Sequence, residues 1–172
     1  MLDGTNDYIT LPTTGFGIPS FSFDCWVKFN STGNGAYWWS LADSAAGNPE
    51  LRLGFDGSNK INYIWFDAGA YIFSTSSVAT LTTNTWYHFA NTTTNGQYIF
   101  YINGSVDKSL TGTTYDGGTI VSHSLGTYML YGTTPYGGYS NMSVGAFRFY
   151  NRVLTATEIS NNYSIERNRF GV

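Results

Sequence analysis

Apolar and polar side chains alternate along much of the chain, the pattern of strands with one face buried and the other facing water. Residues 21–29 read Phe-Ser-Phe-Asp-Cys-Trp-Val-Lys-Phe, so Phe21, Phe23, Cys25, Val27 and Phe29 share one face while Ser22, Asp24, Trp26 and Lys28 share the other. Shorter runs of the same kind occupy 7–11, 36–41, 50–55, 61–66, 71–74, 85–92, 97–102, 105–110, 119–131 and 143–150. Turn chemistry separates them at Asn34-Gly35, Asp56-Gly57, Asn95-Gly96, Asn103-Gly104, Asp116-Gly117 and Tyr136-Gly137-Gly138. About ten short strands with tight turns predict an all-β fold, a sandwich or a barrel.

Asn103-Gly104 tolerates positive φ at both central positions, which predicts a two-residue type I′ hairpin between its flanking strands. One segment reads as helix. Thr155 is followed three residues later by Glu158, the reciprocal capping box, and Ile159 with Tyr163 forms an apolar i, i+4 pair, predicting about two turns over 155–163 packed against a sheet. The Gly-, Tyr- and Thr-rich stretch 126–140 reads as a loop rather than a continuous strand.

Composition supports the all-β reading. Only 11% of the 172 residues are charged, 18% are aromatic, and Ser, Thr and Asn together number 54, so neutral hydroxyls and amides replace the Glu and Lys that solvate helical proteins. A length near the usual domain size with no interior shift in composition predicts one domain over 1–172. A net charge of -3 with scattered basic residues excludes the basic face that nucleic acid requires. No apolar run reaches the length of a membrane span, and no export signal is expected at Met1-Leu2-Asp3-Gly4. Cys25 is the single cysteine and falls on the apolar face of its strand, where a core thiol is expected.

Candidate chemistry is sparse. The histidines, His88 and His123, stand far apart in strand-like segments with no nucleophile elbow, and His88 reads as a hydrogen-bonded structural residue. No catalytic constellation emerges, and a non-enzymatic role is expected. Aromatics are more informative, because Tyr and Trp offer flat apolar bodies with polar tips, which suit the faces of a sugar ring. On a regular strand Trp38 and Trp39 must face opposite ways, so one is expected in the core and the other exposed or at an interface. Tyr37 is expected to share the face of Trp39. Trp65 and Tyr71 complete the expected ligand-binding set.

Several segments, in order, resemble the laminin-G-like, concanavalin A-like jelly-roll superfamily. They are Leu2-Asp3-Gly4-Thr5-Asn6-Asp7-Tyr8-Ile9, Phe21 to Lys28, Trp86-Tyr87-His88-Phe89-Ala90, Tyr98-Ile99-Phe100-Tyr101-Ile102-Asn103-Gly104 and Phe147-Arg148-Phe149-Tyr150-Asn151-Arg152-Val153-Leu154-Thr155. The resemblance implies a concanavalin A-like jelly-roll β-sandwich of two antiparallel sheets with one short C-terminal helix. Glucanases of this superfamily carry Glu-x-Asp-x-x-Glu on one strand; Glu50, Glu158 and Glu166 do not begin that pattern. Many relatives also carry an acidic pair before the last strand that completes a calcium site, and here those positions are Gly145-Ala146. Asp3 and Asp7 remain as calcium candidates, with no other cofactor expected.

The tail from Leu154 to Val172 resembles the C-terminus of laminin-G-like domains in tailed-phage structural proteins, with a strand or extension expected after the helix. This implies a non-catalytic virion surface module, a capsid decoration or tail or fibre component, that binds glycans or adheres to a host or partner surface. A purely structural oligomeric virion subunit and an accessory carbohydrate-binding domain of a secreted bacterial enzyme are the alternatives. Expected partners are glycans or other virion proteins in a homo-oligomer or larger assembly. The expected location is the virion surface, or otherwise extracellular.

Overall fold

A computed structural model of the chain describes residues 1–13, 20–33, 35–43, 50–114, 120–130 and 134–172. In chain order the strands are β1 (Leu2–Asp3), β2 (Ile9–Thr10), β3 (Ser20–Phe29), β4 (Tyr37–Asp43), β5 (Glu50–Phe55), β6 (Ile61–Asp67) and β7 (Ala70–Ser76). They continue with β8 (Trp86–Thr94), β9 (Gln97–Ile102), β10 (Ser105–Thr111), β11 (Ile120–Leu125), β12 (Tyr128–Leu130), β13 (Thr134–Gly137) and β14 (Asn141–Tyr150), and end in helix α1 (Ala156–Phe170). Two six-stranded antiparallel sheets form a sandwich, one ordered β1-β14-β3-β8-β9-β10 and the other β2-β11-β4-β5-β6-β7. The expected two-sheet architecture with a short C-terminal helix is what the chain adopts. Asn34 and Asp116-Gly117, two of the turn sites, lie outside the described residues.

Alternation fills the space between the sheets. Phe23, Cys25, Val27 and Phe29 of β3 meet Leu41, Leu51, Leu53, Tyr63 and Trp65 of the facing sheet, all at most 1% exposed. Cys25 is therefore a core thiol, and burial pushes its pKa up. Asn103 and Gly104 have φ of 51° and 75°, the type I′ geometry that closes the β9–β10 hairpin. The stretch 126–140 contributes β12 and β13, paired with each other rather than extending β11.

Three of the ladder irregularities, in β4, β7 and β14, move side chains between faces. In β4, Tyr37 pairs with Gly54 and Trp39 with Leu53, so Trp38 is an extra residue. Both indoles consequently enter the core, each 0% exposed. Trp38 packs against Phe29 and Phe89, and Trp39 stacks on Phe23 at 4.4 Å. The expected split of Trp38 and Trp39 between two faces is thereby overturned. Tyr37 is displaced to the face opposite Trp39, contrary to the expected sharing. In β7 a bulge opposite Trp65 and Phe66 turns both Ile72 and Phe73 toward the core and leaves Tyr71 outward. In β14 the ladder slips between Val144 and Phe147, opposite Trp26, which restores Phe147 and Phe149 to the core side.

Helix α1 runs to Phe170, beyond the expected Tyr163, and takes the place of the expected terminal strand or extension. Its start is the anticipated capping box between Thr155 and Glu158. The added length follows from a stripe at i, i+4, i+7 and i+11, in which Ile159 packs with Ala90 and Tyr101 while Tyr163, Glu166 and Phe170 cover Trp26 on the outer face of β3. Glu166 hides this stripe from a purely apolar reading. Gly145 makes room for it: a Cβ there would lie 2.7 Å from the Phe170 ring and 3.0 Å from Trp26 Cβ.

Candidate functional site

The outward face of the β4-β5-β6-β7 sheet carries a line of rings around one ion pair. In β5, Leu51 and Leu53 point inward, which turns Glu50 and Arg52 outward, and the guanidinium lies 3.3 Å from Glu50 Oε2. Arg52 Cζ sits 4.3 Å from the Tyr128 ring centre, 5.8 Å from Phe66 and 5.9 Å from Tyr37, a cation enclosed by aromatic faces. The Tyr128 hydroxyl donates to Glu50 Oε1 at 3.2 Å. Burial raises the Glu50 carboxyl above its ordinary range, although Arg52 and the Tyr128 hydrogen bond oppose the shift.

The ring line continues to solvent at both ends. Tyr71 meets Phe66 edge-on at 5.4 Å and is 63% exposed, while Tyr136 lies 5.4 Å from Tyr128 and is 66% exposed. The β12–β13 pair is held over β4 by Tyr37 N–H donating to the Gly138 carbonyl at 2.6 Å and Gly126 N–H donating to the Trp38 carbonyl at 2.9 Å. Beneath it lies a layer of hydroxyls. Ser40 and Ser124 share a hydrogen bond of 2.8 Å, Ser124 donates to the Thr127 carbonyl, and Thr127 donates to the Gly137 carbonyl. Arg52 Nε and the Ser122 and Ser140 hydroxyls are buried there without a protein partner.

Of the residues expected to bind a ligand, this face brings together Tyr37 and Tyr71. Trp38, Trp39 and Trp65 are corrected to core positions, each 0% exposed, the first two by the β4 bulge and Trp65 by its inward register opposite Leu51. Glu50, Arg52, Phe66, Tyr128 and Tyr136 were missed. Two of them had a signal: Glu50-Leu51-Arg52 sets opposite charges on one face of a strand, and Arg52 is the first arginine of the chain, with no other before Arg148.

A second polar cluster lies under α1. Asp24, fully buried on the outer face of β3, accepts from Arg148 at 2.8 Å, Asn162 at 2.6 Å and Tyr150 at 3.2 Å. Arg148 also bonds Glu166, which accepts from Trp26 Nε1 at 2.8 Å. Both carboxylates thus fasten the helix, and Asp24 is 0% exposed. His88 lies beside them, 3.9 Å from Asp24 Oδ1, and neither ring nitrogen has a hydrogen-bond partner, in contrast to the expected hydrogen-bonded histidine. Burial lowers its pKa to about 4.

The calcium candidates Asp3 and Asp7 stand in the N-terminal turn that leads from β1. Asp3 accepts from the Thr5 amide at 2.7 Å and Asp7 from the Asp3 amide at 3.3 Å, so each carboxylate serves its own turn. Gly145-Ala146 offers no side-chain oxygen, and among the described residues no group of three His, Cys, Asp or Glu side chains could hold a metal.

Solved structures share this architecture. Domain 4 of the GH43 extracellular arabinanase AbnA from Geobacillus stearothermophilus, solved with arabinotriose, is 23% identical over 93% of this chain and 73% of that one, with a TM-score of 0.69. A Trypanosoma rangeli sialidase is 17% identical with a TM-score of 0.75, covering 99% of this chain but only 28% of the enzyme. The heptameric SAP-like pentraxin of Limulus polyphemus is 17% identical with a TM-score of 0.64, over 92% of this chain and 78% of that one. No curated protein matches the chain in sequence. The profile of the Concanavalin A-like lectin/glucanases superfamily matches residues 3–160. Two antiparallel sheets in jelly-roll form and a sequence match over nearly the whole chain place this protein in the Concanavalin A-like lectin/glucanases superfamily.

Proposed function

We propose that the chain is one non-catalytic, extracellular glycan-binding domain that holds saccharides on the outward face carrying Tyr37, Arg52, Phe66 and Tyr71. The observation that carries the reading is the pair of solvent-exposed rings, Tyr71 and Tyr136, at the two ends of a preformed aromatic line around a buried ion pair. Flat rings stack on the C–H faces of a sugar, and adjoining polar groups take its hydroxyls. Superfamily membership and the arabinotriose-bound domain support the same reading. A glycan array followed by calorimetry tests it. Tyr71→Ala and Tyr136→Ala should each weaken binding at least about tenfold, the loss of roughly 1.4 kcal/mol, with the unfolding midpoint unchanged. Retention of no glycan, or full binding by both variants, would overturn it.

The finer proposal places the domain on a virion surface as an oligomeric decoration or fibre module, and its support is the resemblance of the Leu154–Val172 tail. Light scattering of the intact protein decides the oligomeric part, since a monomer at assembly concentrations would contradict it.

A further inference from the structure

We propose, resting on the reading above, that the site selects uncharged saccharides and that Glu50 sets this preference by neutralising Arg52. The chain's eight cationic side chains all lie within the described residues. Arg148 is bound to Asp24 and Glu166, and Arg152 to Glu158. Lys108 donates to Thr75 and to the Ser76 carbonyl, Lys28 lies over Trp86, Lys60 faces Asp56, and Arg167 and Arg169 belong to α1. Arg52 is therefore the cation enclosed by the ring line, and it is already paired.

Arg52 and Glu50 are 7% and 6% exposed, so an anionic group held on the exposed rings would feel guanidinium and carboxylate, 3.3 Å apart, together, and attraction and repulsion would largely cancel. The net charge of -3 adds repulsion at longer range.

The test is a glycan array carrying matched neutral, sialylated and sulfated members, probed with the wild-type protein and with Glu50→Gln at low and high salt. The wild type should retain neutral members over their anionic counterparts. Glu50→Gln should gain at least about tenfold in binding to sialylated or sulfated members, a gain suppressed by salt. A wild-type preference for anionic members, or an unchanged preference in Glu50→Gln, would overturn the inference while leaving glycan binding standing. Retention of no member at all would overturn the glycan-binding reading itself. Should Glu50→Gln fail to fold, the wild-type comparison decides, with Tyr128→Phe, which frees Glu50 of its tyrosine donor, as the second variant.

Discussion

At Trp38 and Trp39 the core is lined by rings on several sides, and the two indoles do different work there. Trp38 lies 5.7 Å from Phe29 and 5.1 Å from Phe89, whereas Trp39 stacks on Phe23 and donates its Nε1–H to His123 Nε2 at 3.0 Å. Trp38→Ala and Trp39→Ala should each destabilise by about 3 to 5 kcal/mol in urea denaturation, as buried aromatics do when truncated. Tyr71→Ala, at an exposed ring, should stay within about 0.5 kcal/mol of wild type. A mild effect at either indole would contradict the bulge that places both in the core. The same bulge explains how much of the candidate site was legible in the sequence. Tyr37 and Tyr71 could be named because aromatic side chains in strands advertise themselves. Trp38, Trp39 and Trp65 were misplaced because an extra residue in one strand, or the inward register of another, leaves no mark on the local alternation. Arg52 and Glu50 were passed over because their role depends on Phe66 and on Tyr128 arriving from β12, contacts that no short stretch of sequence contains.

Helix α1 is an element whose position rests on polar fastening as much as on apolar burial. Ile159 and Leu154 join Ala90 and Tyr101 in a small cluster, while Phe170 stacks on Trp26 at 4.3 Å and Asn162 and Glu166 engage Asp24, Arg148 and Trp26. Gly145→Glu would thrust a side chain into the Phe170 ring and into Trp26. The expected outcome is loss of the last turn of α1 from the sheet, read as a red shift in Trp26 emission and faster amide exchange over 163–170. The strands should keep their protection. Unchanged exchange in α1 would mean that Phe170 can swing aside without cost. The capping box marks the start of the helix, and Arg167 and Arg169 followed by the αL Gly171 mark its end. Its C-terminal half rests Tyr163 and Phe170 on Trp26, more than a hundred residues away, and leaves Ile165 exposed. The strands were legible because period-two alternation is local, and β5 and β9 begin and end where it does.

For the whole molecule, two buried imidazoles tie stability to pH. His88 and His123 are at most 2% exposed, and burial holds both pKa values down at about 4 against 6.5 for a free imidazole, the Pro12 carbonyl partly opposing the shift at His123. Between pH 6.5 and about 4 the unfolded chain takes up a proton at each histidine that the native state refuses. The contribution of the neutral rings is therefore complete above 6.5 and is lost as the pH falls toward 4, at about 1.4 kcal/mol per pH unit for each ring where the difference is full. Glu50 acts in the opposite sense, because its raised pKa favours proton uptake by the native state, and it blunts the slope near the carboxylate range. His88 and His123 can be told apart by their partners. His123 accepts from Trp39 and lies 3.4 Å from the Pro12 carbonyl, so replacing it orphans an indole N–H. Among the described residues His88 has no hydrogen-bond partner at either nitrogen, and it sits between Trp26 at 5.3 Å and Tyr163 at 6.1 Å, a setting that a phenyl ring would fill without orphaning any donor. His88→Phe should therefore raise stability at pH 7 by about 1 kcal/mol, through relief of an unpaired buried polar ring, and should remove about half of the histidine-linked slope between pH 6.5 and 4. Urea midpoints at pH 7, 5.5 and 4.5 measure both effects. A variant less stable than wild type at pH 7, with the slope intact, would show that His88 is held by bonds its present surroundings do not supply.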